Sequence, residues 1–206
     1  MELLIFFLTA LISFFGSIQP GAVNLAVIQT TLYRNLPAGL LVAVGGCLPE
    51  IVYATLALEG LLFVQNNEVF FRIIDILVVP VFIGIGISYF YQKKTGIVQK
   101  KLGRNTLKAS FLKGLSLGII NPQLLPFWFF SSLYVNKYFA LNHFAAKSAF
   151  ALGAMTGAFG ILYLFAILVN RKQQQVQQLF EGYSINRLIG CFFIFLAVLQ
   201  VFKIYW

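Results

Sequence analysis

The chain has 206 residues, of which 60% are hydrophobic and only 10% are charged. Soluble domains carry about 25% charged residues, so a soluble globule is excluded, and the long apolar runs belong in a bilayer, where a helical span takes roughly 20 residues. The net charge of +9 does not point to nucleic acid, because the basic residues gather in loops between the apolar runs, where they set orientation in a membrane.

Met1-Glu2 lacks the positive n-region of a signal peptide, and the apolar stretch behind it is too long for one. Residues 3–31 are therefore expected to form the first span. That span is interrupted by Gly16-Ser17-Ile18-Gln19-Pro20-Gly21-Ala22-Val23-Asn24. Proline removes a helix bond and clashes with the preceding turn, and freed backbone groups at membrane depth must be satisfied by protein or by a water-lined cavity. After the polar turn Tyr33-Arg34-Asn35, a second span is expected over 37–64, with Pro37 suited to a first turn. It carries Gly45, Gly46, Pro49 and Glu50 near its middle and Glu59 towards its end. A third span is expected over 69–91, with Asp75 near its start and Pro80 inside it. Residues 92–113 are the long polar segment, read as a basic cytoplasmic linker. The fourth span covers 114–135. The fifth covers 145–169 and holds Gly153 and Gly157, a G-x-x-x-G that lets another helix approach closely, within the chain or across a homodimer. Residues 170–187 are polar and rich in glutamine. The sixth span covers 188–204, with Trp206 at an interfacial end.

Six spans put Arg34, Lys93, Lys94, Lys100, Lys101, Arg104, Lys108, Lys113, Arg171, Lys172 and Arg187 on one side. Only Arg72, Lys137, Lys147 and Lys203 fall on the other. The positive-inside rule then places both termini outside the cytoplasm. The interruption in the first span also has an echo: Gly118-Ile119-Ile120-Asn121-Pro122 and Gly16-Ser17-Ile18-Gln19-Pro20 both fit G-x-I-[Q/N]-P, half the chain apart. Three crossings separate the copies and reverse their direction. The expected fold is an all-α integral membrane protein of six transmembrane helices. They form two inverted three-helix repeats with broken first helices, 1–91 and 114–206, joined by the linker. In such folds the substrate site lies near the midplane, where discontinuous helices of the two halves meet.

An acid at bilayer depth costs a few kcal/mol and needs a partner, a cavity or a proton. Glu50 is central in the second span and is the first candidate for a proton or substrate site. Taking up a proton outside and releasing it inside would drive a solute the other way. Asp75 lies about two turns inside the third span and is a second candidate. Glu59 reads as a vestibule or interface charge, and His143, the one histidine, as a surface residue. The amides of Gln19, Asn24, Asn121 and Gln123 either line a site or satisfy backbone freed by Pro20 and Pro122, with Gly21 between them. Pro126 and Trp128 read as structural. Cys47 and Cys191 have no metal or redox spacing and read as apolar fillers.

At Pro20-Gly21-Ala22-Val23-Asn24 the sequence resembles the LysE/RhtB family of amino-acid exporters, six-span proteins of bacterial inner membranes. The family's first span has Pro-Gly-Pro followed by Asn; here Ala22 stands for the second proline. Its fourth span has Asn-Pro-Lys, where this chain reads Asn121-Pro122-Gln123. Its second span has a glycine-rich stretch ending in an acid, matched by Gly45-Gly46-Cys47-Leu48-Pro49-Glu50. The resemblance implies export of an amino acid or similar small polar solute across the inner membrane, and Glu50 points to protons as the coupling partner. The resemblance leaves the substrate open, since the lysine is replaced by an uncharged amide. No phosphate-gripping loop, cofactor motif or enzymatic constellation is found. The alternatives are a non-transporting scaffold or receptor component, and a transmembrane thiol–disulfide relay. The relay is disfavoured because Cys47 and Cys191 fall in spans that the repeat does not pair.

Overall fold

The computed structural model describes residues 1–18, 21–64, 106–121 and 123–176, with scattered helical positions between 76 and 87 and between 191 and 202. Among these residues the regular structure is helical: α1 Glu2–Gly16, α2 Ala22–Tyr33, α3 Leu36–Val64, α4 Leu107–Ile119, α5 Leu124–Tyr138 and α6 Phe144–Arg171. Two stretches, Leu36–Leu61 and Phe144–Arg171, are long and apolar enough to cross a membrane. The chain divides into two compact units, Met1–Phe63 with Gln99–Gln174, and Val64–Val98 with Gln175–Trp206. In the second, only isolated helical positions are described, so the spans expected over 69–91 and 188–204 fall largely outside the described residues.

Both expected interruptions coincide with helix ends. The first apolar run is split between Gly16 and Ala22, and the fourth between Ile119 and Leu124. Gln19, Pro20 and Pro122 lie outside the described residues. Helix α4 starts at Leu107, so residues 107–113, which composition assigns to the polar linker, are helical.

Two of the helices, α1 and α4, are turned inside out relative to those of a soluble protein. Residues four apart share a helix face. On α1 the buried face is Ile5, Thr9 and Ser13, while Leu3, Leu4, Phe7, Leu11 and Phe15 are exposed. On α4 the buried face is Ser110, Gly114 and Gly118, while Leu107, Leu112 and Ile119 are exposed. In water the large apolar side chains would turn inward. In lipid they already have an apolar solvent, and small inward residues let helix backbones close on each other.

Glycines mark where they close. A Cβ on Gly153 would lie 2.5 Å from the Phe6 carbonyl oxygen, and one on Gly157 would strike the Ala10 carbonyl. The Ser13 hydroxyl donates to the Ala154 carbonyl at 2.6 Å across the same contact. The G-x-x-x-G of α6 is therefore used within the chain, against α1, and its glycines are not available to a second copy. Helix α4 meets α3 in the same way: a Cβ on Gly114 would strike the Val42 carbonyl, and one on Gly118 would lie 2.7 Å from that of Gly46. Helix α2 fills the space between α3 and α6, where Val23, Ala26 and Val27 pack with Val42, Ala43, Cys47, Ala158, Leu162 and Ala166.

Polar contacts tie the two ends of this unit. At one end Arg34 Nη1 donates to the Ser110 hydroxyl at 2.8 Å, and Asn35 Oδ1 accepts from the Ala38 N–H at the start of α3 at 2.9 Å. At the other, Lys147 Nζ pairs with Glu59 at 2.6 Å and His143 Nε2 meets Glu2 at 3.1 Å. Glu59 is 54% exposed, in keeping with a peripheral charge.

Candidate functional site

Pro49 sits inside α3, where it cannot donate to the carbonyl four residues back. Glu50 follows it and is 6% exposed. Its Oε2 accepts a hydrogen bond from the indole Nε1 of Trp128 on α5. Trp128 is fully buried. Its ring is held edge-on by Phe127, at 5.0 Å between centroids, and by Phe150, at 5.5 Å. The aromatic packing therefore fixes the donor before any ligand arrives.

The two helix breaks lie against the same acid. At the first, Asn24 Nδ2 donates to the Ser17 carbonyl at 2.8 Å, bridging the end of α1 and the start of α2. At the second, Asn121 Oδ1 accepts from the Gln123 backbone N–H at 3.1 Å. The Tyr53 hydroxyl donates to the Ile119 carbonyl at 2.6 Å, satisfying an acceptor left over at the end of α4. The amides of Asn24 and Asn121 thus satisfy backbone freed by the breaks. They also line a cavity, so the two uses open to them coexist.

That cavity has a volume of about 80 Å³ and is walled by Gly16, Ser17, Gly21, Val23, Asn24, Gly46, Glu50, Asn121, Gln123, Leu124, Phe127, Ala158 and Leu162. A water needs roughly 10–15 Å³ on this measure, so the space holds several waters or the head of a small solute. Its lining combines polar and apolar residues. Ser17, Asn24, Glu50, Asn121 and Gln123 supply the former; Val23, Leu124, Phe127, Ala158 and Leu162 supply the latter. Helix α2 begins behind Gly21 and α5 behind Gln123, and neither start has a side-chain cap. At α2, uncapped first-turn N–H groups and the helix dipole give the start a partial positive charge. At the start of α5 the Leu124 N–H already donates to the Asn121 carbonyl at 3.4 Å and Pro126 has no N–H, which leaves the helix dipole as the main source of partial positive charge there. Among the described lining residues Glu50 alone is ionisable.

Of the residues singled out in the sequence, Gly21, Asn24, Glu50, Asn121 and Gln123 come together in this one cavity. Gln19, Pro20, Asp75 and Pro122 lie outside the described residues. Trp128, read from sequence as structural, is the hydrogen-bond partner of Glu50. A buried indole N–H needs an acceptor, and Glu50 is the acid nearest mid-span, so that pairing was available as a signal. Ser17 and Phe127 carry no comparable signal. Cys47 is buried and Cys191 exposed, both as free thiols, and the Cys47 thiol donates to the Val44 carbonyl at 3.2 Å.

A family model of LysE type translocators matches residues 14–203. No curated protein and no solved structure matches the chain. The family match runs from the first break through the last apolar run and takes in every cavity-lining residue. The chain belongs to the LysE type translocator family, membrane transporters of amino acids or similar solutes rather than enzymes.

Proposed function

We propose that this protein is a secondary transporter that exports an amino acid or similar small polar solute across the bacterial inner membrane by proton antiport. One observation carries the reading: residues from both helix breaks, Gly21 and Asn24 from one and Asn121 and Gln123 from the other, border a single small cavity with Glu50. A carboxylate at this depth is costly unless it is paired or protonated. Its alternation between a proton and a solute ammonium is the coupling step. Proton occupancy releases the solute outside, and deprotonation inside restores the binding form. Gln19, Pro20 and Pro122 belong to the same pathway by their place in the breaks, and Asp75 is an additional proton-pathway candidate.

The halves 1–91 and 114–206 act as inverted repeats that rock about the cavity, with both termini outside the cytoplasm. The packing of α1 on α6 and of α4 on α3, each through glycines and small residues, supports that exchange of equivalent partners. The test is reconstitution in liposomes loaded with a panel of amino acids under an imposed pH gradient. Solute efflux should follow the gradient in the wild type and lose that dependence in Glu50→Gln. Gradient-driven efflux that survives Glu50→Gln would overturn the coupling role.

A further inference from the structure

One wall of the cavity is built differently from the rest. Among its described apolar lining residues, Val23, Leu124, Ala158 and Leu162 are buried. Val23, Ala158 and Leu162 also belong to the packed core between α2, α3 and α6, and a close-packed interior does not yield to a solute. Phe127 is only partly buried. It stands near the start of α5, just past the second break, and its ring reaches Gly16 at the end of α1, beside the first. A Cβ on Gly16 would lie 2.3 Å from Phe127 Cζ and 2.5 Å from Cε2, so the outer edge of the ring rests on bare backbone. The ring also meets the Trp128 indole, which Phe150 and Glu50 hold in place.

The backbone of Gly16 does not call for a glycine. No described glycine has a positive φ, and a glycine in a helix weakens it relative to alanine. What Gly16 supplies is room for the ring. Gly157 faces mostly backbone, whereas the three atoms nearest a Gly16 Cβ all belong to the Phe127 ring. A methyl at Gly16 therefore displaces a side chain and does not force two helices apart.

We infer that Phe127 sets the size of solute that the cavity accepts, with Gly16 as the seat that keeps its ring back from the cavity. The inference concerns the cavity of the export reading and rests on that reading for its physiological meaning, but size selection can be read from binding alone. A firm apolar wall separates solutes that differ by one methylene about tenfold or more.

The straight-chain amino acids from alanine through norvaline and norleucine to aminooctanoate grow one methylene at a time and carry the same charges. In purified protein carrying Trp206→Phe, Trp128 is the sole tryptophan, since the chain has two, and its emission reports binding beside Phe127. With Phe127 intact, affinity should fall tenfold or more at one added methylene, which marks the size limit. Phe127→Ala should move that limit to longer chains by at least one methylene. Phe127→Leu, a smaller cut that keeps a packed side chain, should move it the same way. Gly16→Ala should move the limit to shorter chains, and should leave it in place when Phe127→Ala has already removed the ring. A limit unmoved in both Phe127 variants, or affinity lost equally at every chain length, would overturn the assignment and make Phe127 a packing residue. A limit that Gly16→Ala leaves in place, lengthens, or shortens equally without the ring would overturn the seat. No binding by any member of the series, or no limit with Phe127 intact, would overturn the proposal whole. The same series in liposomes separates the two readings: solutes that bind with this limit yet are not moved faster than in empty vesicles sink export and leave the size limit standing.

Discussion

Gly157 and Gly60 are both helical glycines, yet they stand in opposite surroundings. A Cβ on Gly157 would strike the Ala10 carbonyl and come within 2.7 Å of Ser13 Cβ and 2.8 Å of the Phe14 nitrogen, whereas one on Gly60 meets nothing within 4 Å. Replacing either by alanine gains a similar helix-propensity term, about 0.5–1 kcal/mol, so that term cancels between the two variants. What remains is the overpacking cost at Gly157, about 1–3 kcal/mol, and it cannot be relieved by a rotamer change because the opposing atoms are largely backbone. Gly157→Ala should therefore be less stable than Gly60→Ala by about 1–3 kcal/mol. Gly160→Ala, whose nearest neighbour is the Phe14 ring at 3.3 Å, should fall between them. Thermal unfolding in detergent, followed by loss of the monodisperse peak, orders the three variants. Equal midpoints for Gly157→Ala and Gly60→Ala would refute the contact between α1 and α6 through the G-x-x-x-G, and would return those glycines to the candidates for a dimer surface.

Trp128→Phe keeps most of the aromatic packing and removes the donor to Glu50. Hydrogen bonds to charged groups contribute about 1.5–3 kcal/mol, so the variant should lose stability of that order, and less of it in a Glu50→Gln background; an equal loss in both backgrounds would contradict a charge-assisted bond. At the other polar end, Glu2 is held down to about 2 from an ordinary value of 4.5, by its own backbone N–H first and then by His143 and the amino terminus. A carboxylate with a lowered folded value favours folding above its ordinary range and loses that contribution as pH falls through the folded value. The stability difference between wild type and Glu2→Gln should thus be steady down to about pH 5 and vanish between 4.5 and about 2. Glu2 is half exposed, so the difference should also shrink with salt. A difference that persists unchanged at pH 2 would count against this account.

The helix breaks were legible because proline and glycine act locally: Gly16 to Asn24 and Gly118 to Pro122 announce an interruption whatever surrounds them. Glu50 was legible because an acid in an apolar run has few reasons to be there. The inward faces of α1 and α4 were harder: Thr9 and Ser13 are the two hydroxyl residues of their run, four apart, but Ile5 looks no different in sequence from residues that face lipid, because hydrophobicity alone does not separate inside from outside when the solvent is itself apolar. The direction in which the G-x-x-x-G faces was also hidden, because close approach needs two surfaces and the sequence shows one. The start of α4 at Leu107 was missed for a related reason: Lys108 and Lys113 make 107–113 look like a loop, but charged residues are ordinary on a helix end that leaves the membrane. Trp128 was assigned to packing because its aromatic body is the conspicuous part, while its single N–H does the work beside Glu50.

The cavity also carries an asymmetry with consequences for energetics. Helix α3 packs on α4 and α6 on α1, and each lends the cavity wall a residue, Glu50 from one and Ala158 from the other. Two carboxylates across so small a space would oppose each other's ionisation; among the described lining residues there is one, Glu50. If a neutral zwitterion leaves on the ionised acid and the protonated acid returns, one positive charge enters per solute exported. Each 100 mV of inside-negative potential then supplies about 2.3 kcal/mol to the cycle, as much as a gradient of roughly 1.7 pH units at about 59 mV per tenfold. A potassium–valinomycin potential, negative inside, should accelerate efflux of a transported neutral amino acid from liposomes held at one pH on both sides. Collapsing it should remove the acceleration, and Glu50→Gln should not respond. Efflux indifferent to potential but still driven by a pH gradient would mean that a compensating charge moves with the solute, which a single carboxylate exchanging a proton for a zwitterion does not allow.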